Sequence, residues 1–319
     1  KKIIKKKIEA RHENLHFIDN RNRIVPMPVQ LITDNKMSHQ NFEIRIFGAP
    51  KELSDSIVKE KHVLHNEEAN IQLSVAIPCY NGNKIAWLCM EGLCNQVNVN
   101  FDWEIVVCEE LHENVIGKDF FMQYIQRLIN VGCKKITYIE LINWVNLPEK
   151  WKIIGRNIDD NSNIFILQAV DCYPPKERLS ITHKLINDFD YDWIDFGKGY
   201  FYSFNDDKLI QYNANALTNL HMGLKSIYAK QFRSHNRNTG IDGFLFNTIK
   251  SINPNMKRFT YNELLSDGID TDGYNNISKR RSTYYNSVKF PFIETNKKLN
   301  EIGLPEYIID NIKKMRIDE

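Results

Sequence analysis

The stretch from Gln72 to Glu110, QLSVAIPCYNGNKIAWLCMEGLCNQVNVNFDWEIVVCEE, decides how the chain is read. Two short apolar runs, Leu73 to Ile77 and Glu104 to Cys108, are rich in Val and Ile and suit strands buried on both faces. Between them Ile85, Leu88, Cys89 and Leu93 have the spacing of one helix face. The three pieces form a βαβ unit, whose crossover is expected to be right-handed. Each strand stops in polar residues, the first at Pro78, Tyr80, Asn81 and Gly82, the second at Glu109 and Glu110. Ligands of open α/β sheets sit beyond the carboxyl ends of the strands. Pro78 to Asn81 and Glu109 are therefore expected together at the mouth of a site.

The pattern continues downstream. Residues Asp119 to Val131 have helical periodicity, and Lys135 to Glu140 reads as a third strand. Leu147 to Asn157, LPEKWKIIGRN, carries Lys152 and Arg156 four residues apart, on one face of a helix. Two cations there suit phosphate or base oxygens, and Arg can engage them bidentately. Asn163 to Leu179 is an apolar strand ending in a carboxylate, Asp171, then a Pro-containing turn into a helix. Tyr191 to Phe196 reads as another strand, followed by the aromatic group Tyr200, Phe201, Tyr202 and Phe204; such rings serve a core or a sugar subsite. In TGIDGFLFN, Thr239 to Asn247, Asp242 stands where an amphipathic helix begins, a position that suits an N-cap. Ser266 to Arg281 loses all periodicity and ends in three cations, Lys279, Arg280 and Arg281. Asp270-Thr-Asp272 lacks the distal acid that an EF-hand calcium loop needs.

In this order the pieces resemble the inverting family 2 glycosyltransferases of the GT-A fold. The resemblance rests on Ser74-Val-Ala-Ile-Pro-Cys-Tyr-Asn81, on Glu104-Ile-Val-Val-Cys-Glu-Glu110, on the strand ending at Asp171 and on Gly240-Ile-Asp242, and it spans Gln72 to Asn247. It implies a mostly parallel α/β sheet flanked by helices. It also implies a nucleoside site of Pro78, Tyr80, Asn81, Glu109, Arg156 and Gln168. A divalent cation, Mn²⁺ or Mg²⁺, is expected on Asp171, and Asp242 is the expected general base. Lys279, Arg280 and Arg281 would sit on a lid over the donor diphosphate. The donor would be a nucleotide sugar, UDP-sugar first, and the acceptor a glycan or other hydroxyl. Two departures stand out: Glu109 replaces the usual Asp, and Gln168 and Val170 stand where carboxylates are common. The second departure favours a rival, a GT-A domain without catalysis that serves as a binding module. A nucleotidyltransferase is a weaker rival, because PCYNGNK has one Gly and one Lys after the first strand.

The chain has 319 residues and a formal charge of +2, with 42 basic and 40 acidic residues. That near-balance argues against nucleic acid as a partner. Six cysteines without CxxC spacing read as buried thiols and not as a zinc site. No run approaches the roughly 20 apolar residues of a membrane span, and no signal peptide is visible. The expected compartment is cytoplasmic; the basic run Lys1 to Lys7 leaves a peripheral membrane contact open. Three parts are expected: an extension over 1–70 with short strands and a helix within Lys51 to Asn70, a catalytic domain over 71–260, and a lid loop with a helical segment over 261–319.

Overall fold

A computed structural model describes residues 57–80, 84–111, 114–204, 207–213, 222–232, 241–265, 267–271, 292–294 and 297–317, with three short strands before them. These three, β1 (Leu15–Ile18), β2 (Ile24–Pro26) and β3 (Arg45–Ile46), pair in the order β2-β1-β3.

The main sheet has eight strands: β4 (Val58–Asn66), β5 (Ile71–Cys79), β6 (Asp102–Glu110), β7 (Cys133–Leu141), β8 (Ile164–Leu167), β9 (Trp193–Phe196), β12 (Met222–Lys225) and β13 (Arg258–Tyr261). Its order is β13-β9-β12-β8-β5-β6-β7-β4. Strands β8, β5, β6 and β7 are parallel, and so are β9 and β13. β12 runs antiparallel between β8 and β9, and β4 runs antiparallel along β7. The expected mostly parallel α/β sheet is present, and β5 and β6 form the parallel pair that the opening stretch requires.

Strand alternation sorts the helices onto two faces. Val75, Ile77, Ile105, Val107 and Ile166 point to the face covered by α1 (Ala86–Cys94), α2 (Lys118–Met122), α3 (Ile125–Ile129) and α5 (Arg178–Asn187). Ala76, Val106, Cys108, Phe165 and Leu167 point to the other, covered by α4 (Leu147–Gly155), α6 (Ser226–Ala229) and α7 (Ile241–Ile252). Both faces of β5, β6 and β8 are dry, so these central strands are mostly apolar. All six cysteines are buried and free, as expected.

A second sheet, β14-β10-β11-β15, is built from β10 (Lys198–Ser203), β11 (Lys208–Asn213), β14 (Ile269–Thr271) and β15 (Phe292–Glu294). Its core holds Tyr200, Tyr202, Phe204 and Ile269, closed by Ile308, Ile309 and Ile312 of α8 (Glu306–Ile317). The aromatic group after β9 is thus mainly core.

Two expectations change here. Val58 to Asn66 is a strand where a helix is expected. Leu53, Ile57 and Leu64 imitate helical spacing, but β7 offers an open edge, and pairing with it overrides local pattern. Its Lys59 and Lys61 are the charges that commonly blunt a sheet edge. Likewise Ile269 to Thr271, inside the expected lid, is a strand of the second sheet. Among the described residues no helix is long and apolar enough to cross a membrane.

Candidate active site at the carboxyl edge of the sheet

The carboxyl ends of β5, β6, β8 and β9 gather on one edge. The chain enters α4 from that edge, with Asn146 as its N-cap: the side-chain oxygen accepts from the Glu149 N–H at 3.0 Å, and Pro148 sits in the first turn. One turn in, Lys150 reaches across the strand ends. Its ammonium donates to the Cys79 carbonyl, forms an ion pair with Glu110, and lies 5.5 Å from the centre of the Tyr80 ring. Lys150 and Glu110 are 3% and 1% exposed. This buried pair ties β5, β6 and α4 together below a half-buried Tyr80. Pro78, also half-buried, is the penultimate residue of β5.

Glu109 faces the other side. Its carboxylate accepts from the Ile116 N–H at 2.9 Å, the Gly117 N–H at 3.0 Å and the Tyr138 hydroxyl at 2.9 Å. Burial pushes its pKa up, against the pull of those donors. Glu109 thus organises the loop after β6 and has three of its acceptor positions filled.

Arg156 is displaced from expectation. It is the exposed C-cap of α4, about 9 Å along the helix from Lys150. The chain beyond it returns to the opposite edge, where the Asp159 N–H meets Glu104 Oε1 at 2.5 Å and the Asn163 N–H meets the Gln72 carbonyl at 3.0 Å. Lys152 is buried against Glu149 at 2.9 Å. The helix following a parallel strand starts at the carboxyl edge, so its first turn serves the site. That orientation was the available signal for Lys150, which the reading from spacing alone missed.

Beyond β8 the chain turns through Gln168 to Asp171. Gln168 is 1% exposed; its amide donates to the carbonyls of Ala169 at 2.9 Å and Cys172 at 3.3 Å, clasping the turn. Its Oε1 is buried with no hydrogen-bond partner among the described residues. Gln168 thus supports the turn through its amide N–H groups. Asp171 is half-buried; its Oδ1 accepts from the Cys172 thiol at 3.6 Å, and its carbonyl accepts from the Thr271 hydroxyl at 2.7 Å. Tyr173 and Ile269 exchange backbone hydrogen bonds of 2.9 and 3.0 Å. These contacts lay β14 along the Asp171 turn. They bring in Asp270, which sequence reading left in a loop. Burial first, then the charges of Asp171 and Asp270, push the Cys172 thiol well above its usual value.

A small recess of about 20 Å³ opens beside this turn, lined among others by Arg178, Phe196, Lys198, Tyr200 and Asp270. Arg178 is 1% exposed, donates to the Leu167 carbonyl at 2.8 Å and lies over the Phe196 ring. Asp242 is the second residue of α7. That helix precedes β13, which is parallel to β9, and packs Leu245 and Ile249 against the sheet. Its first turn therefore lies toward the carboxyl edge. Asn81, Lys279, Arg280 and Arg281 lie outside the described residues.

No protein-family model matches the chain, and no curated protein matches it. Solved structures do. TarS of S. aureus is 14% identical, with 63% of this chain and 37% of that one covered and a TM-score of 0.47. The mannosyltransferase PcManGT of Pyrobaculum calidifontis, solved with GDP-Man and Mn²⁺, is 10% identical, with 73% and 69% covered and a TM-score of 0.47. GalNAc-T7, solved with UDP, GalNAc and Mn²⁺, is 10% identical, with 66% and 45% covered and a TM-score of 0.47. The chain thus spans little more than a third of the TarS chain it matches.

Proposed function

We propose that this chain is a GT-A glycosyltransferase that transfers a sugar from a nucleoside-diphosphate donor, a UDP-sugar first, to a hydroxyl of a glycan or other acceptor. The reading includes inversion at the anomeric carbon and a divalent cation, Mn²⁺ or Mg²⁺. The observation that supports it is one sheet edge gathering a strand-end carboxylate, Asp171, the start of the helix that bears Asp242, and a pocket with aromatic and charged walls.

The chemistry needs one base. Asp242 takes the proton of the acceptor hydroxyl as that oxygen attacks the anomeric carbon. The bond from that carbon to the donor phosphate breaks on the opposite face, and its electron pair leaves with the diphosphate. Tyr80, with Lys150 beneath it, offers a ring at the mouth where the nucleoside would rest. Lys150 itself is committed to Glu110 and Cys79 and acts as a positioning residue. Asp171 and the Gln168 Oε1 atom are hard oxygen donors that suit Mg²⁺ or Mn²⁺, and a buried acceptor without a partner is consistent with such a ligand. When bound, the ion neutralises the departing diphosphate. Phe196 and Tyr200 form the apolar wall of the recess, both rings being packed into the fold.

Isothermal titration with UDP and GDP, each with and without Mn²⁺, tests the reading. Metal-dependent binding of one nucleotide that disappears in Asp171→Ala is expected, followed by donor hydrolysis that Asp242→Asn removes. No nucleotide binding under any metal condition leaves the non-catalytic binding module as the better account.

A further inference from the structure

The sheet's outer edge carries a second cluster, separate from the site above. Glu109, Glu140 and Glu60 stand in register across β6, β7 and β4, three glutamates in one row. The innermost is held by two backbone amides and a tyrosine hydroxyl. The outer two are directly opposed residues of an antiparallel pair, where like charges destabilise. His62, two residues along β4 from Glu60, lies between their carboxylates. Its Nε2 is 3.4 Å from Glu60 Oε2 and 3.8 Å from Glu140 Oε2. One donor atom from each of the three residues lies within 4.8 Å of the other two.

Several features fit this cluster to a metal ion. Bonds of about 2.0–2.2 Å in a tetrahedron set ligand atoms about 3.3–3.6 Å apart, close to the 3.4 and 3.8 Å from His62 Nε2 to the two glutamates. The ligand set, one imidazole and two carboxylates, leaves a fourth position for water. Two of the ligands are well sheltered: the His62 and Glu140 side chains are 16% and 14% exposed. His62 is cross-strand from Tyr138, their ring centres 6.1 Å apart, which orients the imidazole. A register shift between Val58 and Glu60, of the bulge type that re-aims side chains, precedes the cluster. Lys59 holds the other oxygen of Glu140 at 2.8 Å, leaving Oε2 turned to His62. With neutral imidazole, two carboxylates balance one divalent charge. The mixed nitrogen and oxygen set favours Zn²⁺ over Mg²⁺ or Ca²⁺.

We infer that Glu60, His62 and Glu140 form a Zn²⁺ site that fastens the edge strand β4 to β7. The inference does not depend on the glycosyltransferase reading. Binding is measured on the full chain, stripped with chelator, by titration calorimetry with Zn²⁺ and by the visible absorption of tetrahedral Co²⁺. Wild type is expected to take up one equivalent at this site. His62→Asn and Glu140→Gln should each weaken it by at least about tenfold. Asp171→Asn and Glu67→Gln should leave it unchanged, the latter altering a second His–Glu pair on the same edge, His65 with Glu67 at 3.3 Å. Zn²⁺ should also raise the melting temperature of wild type and not of His62→Asn. Glu60→Gln, at a mostly exposed side chain, gives the same reading if an inner variant fails to fold. The site is overturned if Zn²⁺ produces no saturable binding, or if binding survives in both His62→Asn and Glu140→Gln. It is equally overturned if the His62 ring resonances titrate with pH and ignore Zn²⁺, for then a proton alone bridges the glutamates.

Discussion

Glu109 and Glu110 are adjacent in sequence and serve opposite faces of the sheet. Glu109 accepts from the loop amides of Ile116 and Gly117 and from Tyr138, whereas Glu110 is paired with Lys150 of α4. The alternation of a strand alone produces this split. Two carboxylates that read as one acidic strand end are therefore two separate structural devices, and they respond differently to mutation.

Removing one member of a deeply buried pair leaves the other charge uncompensated. Lys150→Met is expected to cost about 3–5 kcal/mol in denaturant unfolding. Adding Glu110→Gln to it should recover part of that loss, because the stranded charge is then gone. A double variant no better than the single one would show that the ammonium's bond to the Cys79 carbonyl matters more than the ion pair.

Glu109 predicts a pH dependence of definite sign. Burial raises its folded-state pKa above the ordinary 4.5, so between 4.5 and the raised value the native state holds a proton that the unfolded chain has released. Stability then falls as pH rises through that window. Measured by urea unfolding, Glu109→Gln should gain on wild type as pH increases from about 4.5 toward neutrality. A difference constant with pH would rule this out.

Asp242→Asn separates chemistry from binding. The proposed base contributes to proton removal and not to donor affinity, so kcat should fall by about 10²–10⁴-fold. Nucleotide affinity should stay within about twofold in the same preparation. Loss of both together would assign Asp242 to structure instead.

Gly155 tests the packing of α4 on α6. A Cβ there would stand 2.5 Å from the Ala229 carbonyl oxygen, a backbone atom that cannot swing aside. Gly155→Ala should destabilise the fold by about 1–3 kcal/mol, read from the thermal or denaturant midpoint.

The sheet was legible where both faces are dry: β5, β6 and β8 announce themselves as apolar runs, and the polar break after each marks the site edge. The place of Asp171, in the turn just past β8, was legible for the same reason. The contributions of tertiary pairing were not. β4 resembles helix until β7 is there to receive it, and β14 resembles loop until the Asp171 turn pairs with it. Lys150 was passed over for Lys152 and Arg156 because charge spacing carries no information about which helix end faces the site. The hydrogen bonds that Glu109 accepts were not legible either, because two of them come from backbone amides, which have no side-chain signature.

The Tyr173–Ile269 bridge has a consequence for how the protein is made. Every strand of the eight-stranded sheet is complete once Tyr261 has been synthesised, but Gly268 and Asp270 of the pocket wall come later. As the polypeptide emerges from the ribosome, the central layer is ready to fold before its recess has a second side. Competence to hold a ligand there follows the sheet, and a nascent chain paused before residue 268 would carry a finished sheet beside an open trough.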